Sequence, residues 1–197
     1  MDEKESRFQM TKKHHTQTFL KAKKDGKMDK EFIPLCTHIT KTKEYFTSSC
    51  CSGRISLVGL NKEEEKRESA FHRKWHRIVK LKEIEEGIKS YNGHILWFKQ
   101  EPIILHIGAN SIENAKKILV LCEKVGLKRA GIKVVKEGKY IIEILGTHNI
   151  TTPIKEGNFC VDKKYLEYLV KKANQKFIKN QEVLKKLTKQ IKKEIKK

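Results

Sequence analysis

The feature that most constrains the fold is the spacing of apolar residues after Asp162. These residues recur at intervals of three or four, with one skipped turn, and they are Leu166, Leu169, Ala173, Phe177, Leu184, Leu187, Ile191 and Ile195. Such a period places side chains on one face of an α-helix. The sequence therefore predicts one long helix from Asp162 onward.

Shorter patterns precede this helix. Helices are predicted over about 4–23, after Asp29 as an N-cap, over 81–89, and from a cap at Ser111 to a stop at Gly126. Strands are predicted over 45–47, 55–60, 75–79, 94–98, 103–107, 132–135 and 140–145, with a hairpin turn at 137–139 and a charged loop or helix end over 62–69. We expect an α+β fold in which a mixed, mostly antiparallel sheet packs against helices.

No internal repeat or long linker marks a domain boundary. We therefore expect residues 1–197 to form a single domain, with a Lys-rich helical C-terminal extension from about residue 171. No two glycines form a G-x-G, so neither a Rossmann fingerprint nor a phosphate loop is present.

Charge indicates the class of partner. Forty-four Lys and Arg against 24 Asp and Glu give a net charge of +20. Such an excess favours nucleic acid or an anionic membrane surface, but no apolar run approaches the length of a membrane span. The five cysteines form no C-x-x-C pair and the N-terminus has no apolar signal region, so we expect a cytoplasmic protein that binds nucleic acid.

The most unusual segment is 45–54, which reads Tyr-Phe-Thr-Ser-Ser-Cys-Cys-Ser-Gly-Arg. Its small polar residues offer hydroxyls, thiols and backbone N–H groups, Gly53 permits a close approach, and Arg54 suits a carboxylate or phosphate. A serine-rich turn is the plainer interpretation. A nucleophilic or redox role for Cys50 or Cys51 is a further alternative.

Histidines supply candidates for proton transfer. His72 and His76 would share one face of a helix, as zinc ligands do, although the cationic residues between them oppose a metal. An RNA contact in which Trp75 stacks on a base is one alternative, and a solvated strand with an anchored Trp75 is another. His106 lies in an apolar run and His148 follows a predicted strand, and either is a candidate general base.

Several motifs together resemble the tRNA wybutosine-synthesizing methyltransferase family, in its archaeal form. The family signature Y-F-T-T-S-S-C-[SA]-G-R corresponds to residues 45–54. Later landmarks follow in the family's order at 74–76 (Lys-Trp-His), 97–106, 126–132, 147–153 and 173–180. The chain departs from the signature at Ser48 and Cys50, which replace Thr and Ser.

This resemblance implies an S-adenosylmethionine-dependent methyltransferase that is not of the Rossmann type. The acceptor it implies is N4 of the 7-aminocarboxypropyl-demethylwyosine base at position 37, in the anticodon loop of phenylalanine tRNA. On this basis we predict that the cofactor is bound by Ser49, Cys51, Gly53, Arg54 and His106. We predict that tRNA is bound by Lys74, Trp75, Lys99 and Lys176, that catalysis uses His76 and His148, and that no metal is bound.

Two other functions stay open on the sequence alone. One is a non-catalytic RNA-binding protein, and the other is a metal-dependent RNA-processing enzyme. Binding of S-adenosylmethionine separates the methyltransferase from both, and bound zinc favours the metal-dependent enzyme.

Overall fold

A computed structural model describes residues 3–63 and 69–196. The helices are α1 (Glu3–Lys24), α2 (Ile33–Ile39, after a 3-10 turn at Lys30–Phe32), α3 (Leu81–Lys89), α4 (Ile112–Lys124) and α5 (Lys163–Glu194). The strands are β1 (Tyr45–Cys51), β2 (Arg54–Leu60), β3 (Ala70–Trp75), β4 (Ile95–Glu101), β5 (Ile104–Ala109), β6 (Arg129–Lys136), β7 (Lys139–Leu145), β8 (Ile150–Glu156) and β9 (Phe159–Cys160). No helix in these ranges is both long and apolar enough to cross a membrane.

Contacts between residues divide the chain into two compact units. The first comprises Met1–Ser52, Ile103–Thr147 and Gln181–Lys197, and the second comprises Gly53–Pro102 and His148–Asn180. The chain thus alternates between the units, and α5 itself contributes residues to both. A single domain over 1–197 stays a prediction.

The first unit contains a four-stranded antiparallel sheet in the order β1-β5-β7-β6. Its core joins apolar side chains of β5 and β7 to those of α1, α2, α4 and the end of α5. Leu187 and Ile191 of α5 are completely buried there. The end of the Lys-rich helix is therefore part of the core of this unit.

The second unit contains a five-stranded antiparallel sheet in the order β3-β2-β4-β8-β9. Alternate residues of a strand point to opposite faces of its sheet. Leu57 and Phe98 thereby reach one apolar cluster with Ile84 of α3 and Leu169 of α5. The opposite face of β2 and β4 includes Arg54 and other polar residues.

The predicted α+β class is confirmed. Among the described residues every strand pair is antiparallel, and the strands are divided between two sheets. The long helix is also confirmed, as are the Ser111 cap and the turn at Gly138, whose φ is +70°. The strand predicted over 75–79 is wrong, because β3 pairs with β2 and ends at Trp75. Of the loop predicted over 62–69, residues 64–68 lie outside the described residues.

Candidate functional site

The signature segment forms a strand rather than a turn. Tyr45 and Phe46 are buried, and the polar residues that follow continue β1 up to Cys51. Within the described ranges β1 is the end strand of its sheet, and its pairing with β5 shifts register between Thr47 and Ser49. One backbone edge of the small polar residues is therefore free of strand pairing, and Ser49 is exposed.

A cavity of about 220 Å³ lies beside this edge, within the first unit. Ser48, Ser49 and Cys50 line it from β1, and His15 and Phe19 line it from α1. The ring of His15 stacks on Phe46, with 4.9 Å between centroids. The cavity thus combines apolar walls with hydroxyls and thiols.

Ser52 is held from two directions. Its N–H donates to the Asp29 carboxylate at 2.6 Å, and its carbonyl accepts from the Gln181 side chain at 2.7 Å. Its hydroxyl is buried and has no hydrogen-bond partner in the described part of the chain. The sequence predicted Asp29 as an N-cap. Its side chain makes no capping hydrogen bond, because its carboxylate accepts from the Ser52 N–H instead.

Two predicted cofactor residues meet in the first unit. The Ser49 hydroxyl lies 2.9 Å from Nδ1 of His106, on the neighbouring strand β5. Nε2 of His106 lies 3.1 Å from Glu143 of β7, and Lys133 of β6 lies 3.0 Å from the same carboxylate. Lys133 and then His106 hold the pKa of Glu143 below its usual value. Glu143 could not be predicted as the partner of His106, nor Lys133 as a partner of Glu143, because pairing across a sheet has no fixed sequence spacing.

The thiols of Cys36 and Cys50 are hydrogen-bond partners. This contact, together with burial, raises the pKa of Cys50 far above its usual value. Cys50 is therefore a neutral thiol at physiological pH, which is a poor nucleophile. Cys51 is half-buried on the same strand.

In the second unit, Gly53 has a φ of +93°, a conformation that other residues rarely adopt. Arg54 forms an ion pair with Glu101 through two of its nitrogens. Its guanidinium also lies 4.6 Å from the centroid of the Phe71 ring. The Arg54 guanidinium, which the sequence analysis considered suited to a ligand carboxylate, thus already binds the carboxylate of Glu101.

Lys74 and Lys99 lie on the same face of the second sheet as Arg54. Both pair directly with Ser56, two residues after Arg54 on β2, and directly opposed residues share a face. Phe71 is 48% exposed, and Lys74 lies 5.4 Å from its ring centroid. We call the set Arg54, Phe71, Lys74 and Lys99 the basic face.

Trp75 is less exposed than Phe71. It is half-buried and packs against the apolar cluster of the second unit, as in the anchored alternative. The exposed aromatic ring of this strand is Phe71, which the sequence analysis missed. The alternation of β3 would have identified it if the end of the strand had been predicted correctly.

The two predicted catalytic histidines also belong to the second unit. His148 is half-buried, and the Asn180 side chain donates to its carbonyl at 3.0 Å. Burial, then Lys176 and Lys179, lower the pKa of the His148 imidazole. His76 is exposed in the bend after β3.

The alternative in which His72 and His76 share one face of a helix does not apply, because His72 lies on strand β3. Nε2 of His72 instead contacts the Gly87 carbonyl at 2.9 Å and the Ser90 hydroxyl at 3.1 Å. The helical spacing that suggested zinc ligands therefore does not occur here.

Comparison with known proteins identifies the family of this chain. The sequence profile of the family described as Methyltransferase TYW3 matches residues 5–193. The chain belongs to this family. A Thermococcus sibiricus member is 34% identical over 190 residues, 96% of each chain, and is named tRNA(Phe) 7-((3-amino-3-carboxypropyl)-4-demethylwyosine(37)-N(4))-methyltransferase. A Methanocaldococcus jannaschii protein of the same name is 35% identical over 164 residues, 82% of this chain and 84% of its own.

Solved structures agree with this membership. A Pyrococcus horikoshii protein superposes with a TM-score of 0.89 at 34% identity, covering 95% of this chain and 97% of its own. An Aeropyrum pernix protein superposes with a TM-score of 0.73 at 24% identity, covering 84% of this chain and 98% of its own. This second match shows only that the fold is shared. Membership in the TYW3 family confirms the resemblance drawn from the signature at 45–54.

Proposed function

We propose that this TYW3-family protein methylates N4 of the 7-aminocarboxypropyl-demethylwyosine base at position 37 of phenylalanine tRNA, with S-adenosylmethionine as the methyl donor. The observation that carries the proposal is the strand β1. It presents the signature hydroxyls and thiols at an unpaired sheet edge beside a cavity. The names of relatives that align over nearly the whole chain support the same reaction.

The residues of the first unit fit such a cofactor. The Ser52 hydroxyl is a buried polar group without a partner in the described ranges, and such groups commonly indicate an absent water or ligand. Separately, the cavity lined by Ser48, Ser49 and Cys50 has apolar walls suited to part of a nucleoside and hydroxyls suited to its polar groups. We propose that Ser49, Cys51 and His106 bind the cofactor in the first unit. Cofactor binding by Gly53 and Arg54 stays a prediction.

When bound, S-adenosylmethionine supplies a methyl group activated by a sulfonium. The task of the protein is then chiefly to align donor and acceptor, because such positioning supplies much of the rate enhancement of a displacement. His148 is suited to take up a proton, since its lowered pKa keeps the imidazole neutral near pH 7. His76 stays a second candidate for this role.

The basic face offers a surface for the tRNA. Lys74 and Lys99 can neutralise phosphates, and the exposed ring of Phe71 can stack on an unpaired base. An anticodon loop provides both groups in a single strand. Lys176, half-buried beside His148, stays a predicted tRNA contact.

Mass spectrometry tests the reaction directly. Phenylalanine tRNA that carries the aminocarboxypropyl intermediate is incubated with the protein and S-adenosylmethionine, and nucleosides are then analysed. The expected result is a gain of one methyl group on that base, absent when the cofactor is omitted. Tight tRNA binding without methylation would instead favour a non-catalytic RNA-binding protein.

A further inference from the structure

Four polar side chains form a row across all four strands of the first sheet. Ser49 of β1 pairs with His106 of β5, and His106 pairs with Glu143 of β7. Lys133 of β6 ends the row on the far side of the Glu143 carboxylate. Ser49 is exposed at the signature end of the row, whereas the Glu143 side chain is only 17% exposed.

The row fixes which nitrogen of His106 carries the hydrogen. A carboxylate can only accept hydrogen bonds, so Nε2 of His106 must donate to Glu143. A neutral imidazole has one N–H, which leaves Nδ1 as an acceptor. When the ring is neutral, the hydroxyl of Ser49 therefore donates its hydrogen to Nδ1.

This orientation determines what Ser49 offers to a ligand. Its single hydrogen is used by His106, and its oxygen retains lone pairs for other groups. Without Glu143 the imidazole is free to place its hydrogen on Nδ1. Ser49 would then accept from His106 and turn its own hydrogen outward.

We propose that Glu143 and His106 are positioning residues that make the Ser49 oxygen a hydrogen-bond acceptor for an N–H or O–H donor of the bound cofactor. The inference rests on the proposed function, since it assumes that the cofactor lies at β1. S-adenosylmethionine carries three kinds of such donors, which are the ammonium of its amino-acid portion, the hydroxyls of its ribose and the amino group of its adenine. Lys133 assists by keeping Glu143 ionised.

The first test reads the tautomer of His106 by nitrogen NMR of the ligand-free protein. In the wild type we expect the hydrogen on Nε2 at a pH where the ring is neutral. Glu143→Met, which removes the acceptor, should give a mixture of tautomers, and Glu143→Gln, which keeps an acceptor oxygen, should restore Nε2–H. A wild-type hydrogen on Nδ1 would overturn the proposal.

The second test measures affinity for S-adenosylhomocysteine by calorimetry in a cycle of variants. Glu143→Met should weaken binding about tenfold, the effect of about one hydrogen bond. The same change in a Ser49→Ala background should have almost no effect, because Glu143 acts through Ser49. An equal loss in both backgrounds would refute that role. Glu123→Met, at an exposed position on α4, is the matched control and should bind normally.

Methylthioadenosine distinguishes the ammonium from the other donors, because it keeps the ribose and the adenine and lacks the amino-acid portion. If Ser49→Ala weakens binding of S-adenosylhomocysteine alone, the donor is the ammonium. If it weakens binding of both ligands equally, the donor is a ribose hydroxyl or the adenine amino group. A Ser49→Ala protein that binds both ligands normally contradicts the inference. Failure of the wild type to bind either ligand would contradict the proposed function, and the tautomer measurement then judges the positioning role separately.

Discussion

Phe71 is the exposed aromatic residue of the basic face, with cationic groups of Arg54 and Lys74 near its ring. We predict that Phe71→Ala weakens binding of phenylalanine tRNA by about 1–3 kcal/mol, the usual contribution of one stacked base. Fluorescence anisotropy at fixed salt measures the change. The matched control is Phe159→Ala, an exposed Phe of the same unit outside the basic face.

Phe71→Tyr keeps a ring that can stack and should bind like the wild type. If Phe71→Ala and Phe159→Ala bind tRNA equally well, Phe71 does not contact the RNA. If Phe71→Tyr is as weak as Phe71→Ala, stacking is not the reason for the loss.

His148 gives the second prediction at this scale. Its pKa is lowered, so its basic form persists as the pH falls below the ordinary histidine value of about 6.5. If it accepts the proton, the acidic limb of the kcat profile should lie below about pH 6.5. Lys176→Gln should shift that limb upward, because removing a nearby positive charge makes protonation of the imidazole easier.

Methylation rates across the pH range test this. Lys171→Gln, an exposed position on the same helix, should leave the limb in place. A His148→Gln variant with the activity and pH profile of the wild type would show that another group accepts the proton, and His76→Gln then tests the other candidate.

At the scale of elements, α5 supplies core side chains as well as surface lysines. Deletion of residues 185–197 would remove core side chains of this helix together with its exposed lysines. Because Leu187 and Ile191 are completely buried, we predict that this deletion destabilises the first unit. Leu187→Ala alone should cost about 2–5 kcal/mol of unfolding free energy.

Chemical denaturation of each variant measures the loss. Lys186→Ala is the control, since it shortens an exposed neighbour on the same helix and should change stability little. A deletion variant that melts like the wild type would mean that α5 does not stabilise the unit.

Elements with strong local signals could be predicted from the sequence. The helix after Ser111 has an N-cap and a terminal glycine, and the hairpin at Gly138 has a turn residue, so both were placed correctly. Strand β8 was missed because Ile150–Glu156 has no clear alternation and contains Pro153. Its pairing with β4, which is remote in sequence, determines it instead.

The candidate site could be predicted only in part from the sequence. The unusual composition of 45–54 identified the signature, and Ser49 and His106 proved to be in contact. Glu143 was not anticipated as the partner of His106, nor Asp29 and Gln181 as partners of the Ser52 backbone. Their contacts depend on strand register and tertiary packing, which local patterns do not encode.

At the scale of the whole molecule, the net charge of +20 should govern tRNA affinity. Each phosphate contact contributes about −0.7 to −0.9 to the slope of log affinity against log salt. The exposed lysines near the end of α5 are Lys185, Lys186, Lys189, Lys192, Lys193 and Lys196. We predict that replacing them with Gln flattens this slope and leaves stability nearly unchanged.

Binding isotherms at several salt concentrations test the charge effect apart from the fold. The control replaces six other exposed lysines with Gln, so that the same charge is lost elsewhere. Five of them lie on α1, at positions 4, 13, 21, 23 and 24, and the sixth, Lys27, lies just beyond its end. Equal flattening in both proteins would indicate a general field effect. A slope that changes in neither would exclude a phosphate contact by these lysines.

The two hydrogen bonds on the backbone of Ser52 have a consequence for protein synthesis. Their partners lie 23 residues before it and 129 residues after it. A ribosome releases the chain from its N-terminus, so the signature strand emerges long before Gln181 and the buried residues Leu187 and Ile191. The signature therefore reaches its final arrangement late in translation. An unfinished chain that lacks Gln181 should therefore be unable to methylate RNA.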